Sequence, residues 1–143
     1  MAMKPAERRR ARQFSVQAVY QWQLTGAGFG QIIDQFSVDQ DLSKTDVPYF
    51  KELLAGVINH CDTLDEKLAP YLSRKLKDVD MVDIAILRIA MFELTYMSDV
   101  PPKVILNEAI ELAKDFATDE SYKFVNGVLD KALRSLKLRE SKA

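Results

Sequence analysis

Apolar residues recur every three or four positions along most of this 143-residue chain, which is the period of an amphipathic α-helix. Alternating runs typical of half-buried strands are scarce. The five glycines and five prolines are too few for the many tight turns of a sandwich or a barrel. With 48% hydrophobic residues, the chain can bury a proper core. The sequence therefore predicts an all-α fold.

Turn and capping residues divide the chain into about seven helices. Gly26 is placed to end the first helix, and Asp46 is placed to cap the third. We expect a short turn of helix around residues 71–74. The segment 82–97 is apolar almost all round, so it predicts a helix at the centre of a bundle.

The domain organisation follows from the break at Pro70. We expect residues 1–70 to form an N-terminal helical half with an arginine-rich first helix, and residues 71–143 to form a C-terminal half. The two halves are predicted to be small packed bundles within one compact domain.

Charge is sorted along the chain, although the formal net charge is only −1. The first helix opens with five cations against the single carboxylate of Glu7, whereas acids dominate residues 34–66. Cations at a helix start oppose the helix dipole, and no intrachain acid partner is visible in the sequence. A solvated helix start is one interpretation of this pattern. The other is a binding surface for a polyanion, most often nucleic acid phosphate.

The first helix has one predicted core face and one predicted exposed face. The core stripe consists of Ala11, Phe14, Ala18 and Trp22. The opposite arc consists of Arg9, Arg12, Gln13, Val16 and Tyr20, which predicts solvent-exposed cations in line with a tyrosine ring. Tyr20 fits either a stacking surface for an unpaired base or an amphipathic side chain at the rim of the core.

The segment Lys123–Gly127 is a second candidate for binding. Val125 belongs to a core stripe, which turns Phe124 and Asn126 to its two flanks. A glycine within a helix costs about 1 kcal/mol relative to alanine, so Gly127 predicts close approach of another helix or of a ligand. Phe124 correspondingly fits either the edge of the core or a binding surface.

Residues that could carry catalysis are few. His60 and Cys61 are adjacent, and adjacent helical positions point about 100° apart, so they cannot form a nucleophile–base pair. A single cysteine provides neither a disulfide nor a sulfur-rich metal site, and it suits a reducing cytoplasm. The chain has no phosphate-binding glycine loop or hydrolase motif. We therefore predict no enzyme activity, catalytic residue, metal or cofactor.

A membrane role is not predicted either. The most apolar stretch, residues 84–97, contains Arg88 and Glu93 and is shorter than the ~20 residues needed to span a bilayer.

An ordered series of segments resembles one known family over essentially the whole chain. The segments are residues 8–12 (RRRAR), 20–24 (YQWQL), 49–57 (YFKELLAGV), 86–90 (ILRIA), 93–94 (EL), 99–101 (DVP), 107–114 (NEAIELAK) and 123–132 (KFVNGVLDKA). In this order they resemble the NusB family of bacterial transcription antitermination proteins.

The resemblance implies an all-α fold and an RNA-binding function. Family members bind the boxA element of nascent ribosomal RNA leader transcripts as a heterodimer with NusE, a ribosomal protein of the small subunit. The heterodimer joins RNA polymerase and other Nus factors and suppresses premature termination.

The resemblance also assigns roles to individual residues. It implies RNA contacts for Lys4, Arg8, Arg9, Arg10, Arg12, Tyr20, Glu120, Lys123, Phe124 and Asn126. It implies contacts with the protein partner for Asp78 and Asp83, although Lys77 stands where an acid is expected.

Two alternative functions remain open at this point. A domain of this fold can recruit RNA for an RNA methyltransferase, but the chain, which ends at Ala143, has no cofactor-binding βαβ unit, so we expect a non-enzyme. The chain could also be a homo-oligomeric helical scaffold with arginines that only aid solubility. Phosphate binding differs from that alternative by its steep dependence on salt.

Overall fold

The computed structural model describes residues 5–116 and 118–142, and these ranges contain six α-helices, two 3₁₀ turns and no strand. The helices are α1 (Pro5–Thr25), α2 (Phe29–Asp39), α3 (Val47–Leu68), α4 (Met81–Tyr96), α5 (Pro102–Phe116) and α6 (Asp119–Lys142). The 3₁₀ turns are Ala69–Tyr71 and Leu76–Asp78. The predicted all-α fold is confirmed. The turn of helix expected at residues 71–74 is replaced by these two turns, which brings the number of α-helices to six.

Helix ends lie where the capping residues predict them. Gly26 adopts a left-handed φ of 70°, and its N–H donates to the carbonyl of Trp22 at 2.8 Å, which ends α1. The Asp46 carboxylate accepts a hydrogen bond from the backbone N–H of Tyr49 at the start of α3. The Asp80 carboxylate does the same for Val82 at the start of α4.

Helix α4 is the centre of the fold, as its sequence predicts. It packs against α1, α3, α5 and α6, and almost all of its residues from 83 to 93 are buried. Two of these buried residues are acids, Asp83 and Glu93, which lie near opposite ends of the helix. Glu93 contacts Arg12 of α1, and Asp83 lines a pocket with Phe124 of α6.

The packing of α1 and α3 fixes the position of the arginine-rich helix. Phe14, Phe36 and Phe50 bring α1, α2 and α3 together, with ring centroids 5.6–6.2 Å apart. At the other end of α1, the Gln23 amide donates to the carbonyl of Met81 at 2.8 Å. Because Arg12 contacts Glu93 at the far end of α4, α1 runs antiparallel to α4. The arginines of α1 therefore lie beside the end of α4.

The hydrophobic core includes residues from every α-helix. The division into halves at Pro70 stays a prediction. Over the residues described, no helix is both long enough and apolar enough to cross a membrane.

Candidate nucleic-acid interface

Arg10 is an exposed arginine at the start of α1 that makes no ion pair with the described residues. Its side chain is exposed, and its guanidinium lies 4.9 Å from the centre of the Phe14 ring. Its Nη1 donates to the side-chain oxygen of Gln13 at 3.3 Å, and neither contact neutralises its charge. Arg10 can therefore offer a full positive charge to an anion from solvent.

Arg9 is exposed but already has an acidic partner. Its Nε and Nη2 donate to the two carboxylate oxygens of Glu108 in α5 at 3.1 and 2.9 Å. The side chain of Arg9 remains 55% exposed, whereas that of Glu108 is 12% exposed. The hydrogen bond and the charge of Glu108 raise the pKa of Arg9. The Nη1 group takes no part in this ion pair.

Arg8 is held more closely against the protein. Its guanidinium stacks on the Tyr49 ring, 4.3 Å from the centroid. Its Nε lies 3.6 Å from Oδ2 of Asp46, the residue that caps α3. The side chain is 30% exposed, so part of it can still be reached from solvent.

The prediction that Arg12 is exposed is wrong. Its side chain is 3% exposed, and its Nε and Nη2 donate to the carboxylate of Glu93 at 3.0 and 2.7 Å. Burial disfavours the charge of Arg12, but the hydrogen bonds that Arg12 donates to Glu93 and the charge of Glu93 outweigh this effect, and the pKa of Arg12 is raised. The Tyr49 hydroxyl also donates to Glu93. Burial and the neighbouring carboxylate raise the pKa of Tyr49, so this hydroxyl keeps its proton.

The expectation that the arginines lack intrachain acids also needs correction. Arg8, Arg9 and Arg12 each lie within ion-pairing distance of a carboxylate. Val16, expected on the exposed arc, is buried. Lys4, the remaining predicted cation, lies outside the described residues. Among the described residues at the start of α1, the accessible cations are Arg8, Arg9 and Arg10, which we call the arginine patch.

Tyr20 lies further along α1, at a groove of about 310 Å³ between α1 and α2. The ring is partly buried, and the groove is also lined by Gln17, Gln21, Gln35, Phe36, Asp39 and Gln40. At 1.5 Å per residue, Tyr20 is roughly 16 Å along the helix from Arg9. The position allows both interpretations of Tyr20, as core rim and as stacking surface.

The start of α6 forms a second group, which we call the Phe124 patch and which also includes Glu120, Lys123, Asn126 and Arg74. Glu120, Lys123 and Asn126 are exposed, while Phe124 is partly buried against the core. The guanidinium of Arg74 lies 4.5 Å from the centre of the Phe124 ring. No pattern in the sequence points to Arg74, because only the tertiary structure brings its loop to α6.

Gly127 does not mark a close helix contact. A Cβ at this position would meet no neighbouring element of the described residues within 4 Å, so the expectation of a close helix is wrong, and close approach of a ligand stays a prediction. The glycine is exposed on α6 next to Asn126.

Asp83 and Asp78 have different surroundings. Asp83 is buried and lines a pocket of about 370 Å³ together with Phe124, Glu120 and Ser121. Its Oδ1 has no hydrogen-bond partner in the described part of the chain. Burial raises the pKa of Asp83, and the nearby Ser121 hydroxyl opposes that change. Asp78 is exposed at the end of the second 3₁₀ turn.

Apart from Tyr20, the predicted RNA-binding residues that the structure leaves accessible form two groups, the arginine patch and the Phe124 patch. Arg12, next to the arginine patch, contacts Glu93 of α4, whereas Phe124 lines a pocket with Asp83 of α4. Glu93 and Asp83 are ten residues apart, so the two groups are separated by roughly 15 Å along α4. Helix α5 links them, because Glu108 contacts Arg9 and Lys114 lies 5.6 Å from the ring of Tyr122 in α6.

His60 and Cys61 each contact other side chains of the fold. The His60 ring stacks on Tyr96 with centroids 4.5 Å apart. The Cys61 thiol donates to Asp65 at 3.7 Å, and burial raises the pKa of Cys61, which disfavours the reactive thiolate. The described residues contain no group of three or more histidine, cysteine, aspartate or glutamate side chains placed to hold a metal.

Comparisons with known proteins agree on one family. The model of the NusB family matches residues 9–134. The transcription antitermination protein NusB of Psychromonas ingrahamii is 80% identical over 140 residues, covering 98% of this chain and 97% of that protein. The NusB protein of Aeromonas hydrophila is 60% identical over 137 residues, covering 96% of this chain and all of that protein.

Solved structures show the same fold. NusB of T. maritima superposes with a TM-score of 0.78 at 29% identity, covering 94% of this chain and 93% of that chain. A crystal structure of the antitermination factors NusB and NusE in complex with dsRNA includes a chain with a TM-score of 0.77 at 23% identity. That match covers 92% of this chain and 99% of the other.

Proposed function

Since the chain belongs to the NusB family of transcription antitermination proteins, which are not enzymes, we propose that it binds RNA together with NusE. The RNA is the boxA element of nascent ribosomal RNA leader transcripts. The complex joins RNA polymerase and other Nus factors and suppresses premature termination. The similar fold found in a complex of NusB, NusE and dsRNA supports this proposal.

The arginine patch is the observation that carries the proposal. Arg9 and Arg10 place exposed guanidinium groups at the surface of a chain with a net charge of −1. Guanidinium groups bind phosphate strongly because their N–H groups match the geometry of its oxygens. Arg8 adds a third, partly covered cation. The start of α1 therefore binds the RNA backbone.

The Phe124 patch reads the bases. An aromatic ring offers a stacking surface to an unpaired base, and the Asn126 amide has both donors and acceptors for base edges. Lys123 contributes a phosphate contact, and Glu120 lines the same surface. Tyr20 adds a second ring at the α1–α2 groove.

The protein partner docks near the start of α4. Asp78 is exposed there, and the unpartnered Oδ1 of Asp83 lines the neighbouring pocket. A donor side chain that entered this pocket would satisfy a buried oxygen, which favours complex formation. Because Phe124 lines the same pocket, partner binding and base reading are coupled.

A binding assay with and without NusE tests the proposal. We expect boxA-type RNA to bind more tightly than a scrambled oligonucleotide of equal length, and NusE to increase this preference. Arg10→Ala should weaken binding at least severalfold. The matched control is Arg134→Ala, an exposed arginine on α6 about 12 Å beyond Asn126 along the helix. Binding that is indifferent to RNA sequence, to NusE and to Arg10 would contradict the proposal.

A further inference from the structure

The ion pair between Arg9 and Glu108 occupies one edge of the guanidinium group. Arginine binds carboxylates and phosphates alike through two parallel N–H groups, and in Arg9 the Nε and Nη2 pair is already bonded to Glu108. A phosphate that uses the same edge must displace the carboxylate. The carboxylate and an RNA phosphate are therefore alternative ligands of Arg9.

The burial of the two side chains favours such an exchange at Arg9. Arg9 is 55% exposed, so a phosphate can reach its guanidinium from solvent. Glu108 is only 12% exposed, because it lies on α5 and is covered by Arg9 itself. When Arg9 turns to a phosphate, Glu108 loses its cation and part of its cover. RNA binding must offset that loss.

The rest of α5 adds to the effect. Glu111 and Asp115 follow Glu108 by one and two turns, and both carry negative charge close enough to raise the pKa of Arg9. A phosphate at Arg9 would be repelled by these acids. These three acids lie on α5, the helix that contacts α1 through Glu108 and α6 through Lys114.

We propose that Glu108 limits the affinity of this protein for RNA by competing with the phosphate backbone for Arg9. This inference rests on the proposed RNA-binding function. Exposed ion pairs are weak, so the competition reduces affinity without blocking binding. Phosphate contacts carry no sequence information, so the reduction applies equally to all RNAs. Base contacts and the protein partner then decide which RNA is retained.

Glu108→Gln tests the competition, because the amide keeps the shape of the side chain and removes its charge. We expect this variant to bind boxA-type and scrambled RNA about three- to tenfold more tightly than the parent protein, by the same factor for both. Its affinity should also depend more steeply on salt, by a slope of up to ~0.7, since Arg9 is free to neutralise one more phosphate. Fluorescence anisotropy at several salt concentrations measures both quantities.

A matched control separates local competition from overall charge. Glu66→Gln makes the same change in net charge at an exposed position near the end of α3, roughly 25 Å along that helix from Tyr49, the residue that Arg8 stacks on. Its affinity should stay within about twofold of the parent. In an Arg9→Ala background, Glu108→Gln should no longer increase affinity, because the contested cation is absent.

The outcomes distinguish the inference from the proposed function. If the parent protein binds RNA and the Glu108→Gln variant binds it equally or more weakly, the inference alone is overturned. A gain that persists without Arg9 also overturns it. Parent protein that does not bind RNA overturns both proposals. Glu108→Ala, checked by thermal melting, provides a second charge-removing variant and should reproduce the gain if the glutamine variant is unstable.

Discussion

Arg12 and Glu93 form a buried ion pair, and either charge would lack a partner without the other. Arg12→Ala should therefore lower the free energy of unfolding by about 3–5 kcal/mol, since it leaves Glu93 uncompensated in the core. Denaturation in urea measures this change. Arg10→Ala is the matched control, because Arg10 is exposed; it should change stability by less than about 0.5 kcal/mol while weakening RNA binding.

These two arginine variants should show opposite patterns. Arg12→Ala loses stability, and any RNA binding that the folded fraction retains should be close to that of the parent. Arg10→Ala loses RNA binding and keeps its stability. An Arg12→Ala variant as stable as the parent would contradict the structural role of Arg12.

The apolar repeat of α1 does not predict the burial of Arg12. A three- or four-residue repeat identifies one packed face, but α1 contacts α3, α4 and α5 and is packed on several sides. Its buried arc includes Arg12, Ser15 and Val16 beside the predicted stripe. One signal was present: Glu93 stands in the most apolar stretch of the sequence, and an acid that stays charged when buried is stabilised by a cationic partner.

The burial of Asp83 predicts that the stability of the fold depends on pH. Its pKa is raised by burial above the ordinary value of 3.8, so the folded chain holds this proton at pH values where the unfolded chain has lost it. The contribution of Asp83 to stability therefore falls as the pH rises through that interval. Asp83→Asn should be more stable than the parent at pH 7, with a difference that shrinks as the pH approaches 3.8.

Urea denaturation at several pH values checks this prediction. Asp78→Asn is the control, because it makes the same charge change on an exposed side chain, and its stability should stay within about 0.5 kcal/mol of the parent. If the parent instead loses stability relative to Asp83→Asn as the pH falls, the ionised carboxylate stabilises the fold and the prediction is wrong.

At the scale of helices, the crossing of α3 and α4 depends on Gly56. A Cβ at Gly56 would overlap the ring of Phe92, which is itself buried. Gly56→Ala should lower the free energy of unfolding by about 1–3 kcal/mol, because the crowded core must shift. Gly127→Ala is the contrasting control on α6, where a Cβ meets open space. It should stabilise the helix by up to ~1 kcal/mol.

Thermal melting of the two alanine variants measures both effects. Equal melting temperatures for the two would contradict the close approach of α3 and α4.

Helices and their ends were predictable from sequence because their causes are local. Gly26 and Asp46 act on the backbone within a few residues, and the apolar period of α3 and α5 reports burial directly. The candidate site was less predictable because its contacts join distant parts of the chain. The pair of Arg9 with Glu108 spans 99 residues, and α4 and α5 lie between Arg74 and Phe124 in the sequence. Neither pairing leaves a periodic signal in the sequence.

At the scale of the whole molecule, we propose that the arginine patch and the Phe124 patch contact different parts of one RNA. The first faces phosphate with charge, and the second faces bases with a ring and an amide. Because the two lie on different helices and share no contact, their effects on binding should be separable and additive.

Arg10→Ala and Phe124→Ala should therefore change RNA binding in different ways. Loss of Arg10 removes a phosphate contact, so affinity should fall by the same factor for boxA-type and scrambled RNA, and the salt slope should fall by ~0.7. Loss of Phe124 should reduce the preference for boxA-type RNA by about fivefold or more, with the salt slope unchanged. A stacked base contributes about 1–3 kcal/mol, and the ring would hold that base where the Asn126 amide can bond its edge. Anisotropy titrations of both RNAs at several salt concentrations measure the two quantities.

Phe124 is partly buried and packs against the core, so each titration is made below the melting temperature of the variant. A Phe124→Ala protein that keeps its full preference for boxA-type RNA would identify the ring as part of the core alone.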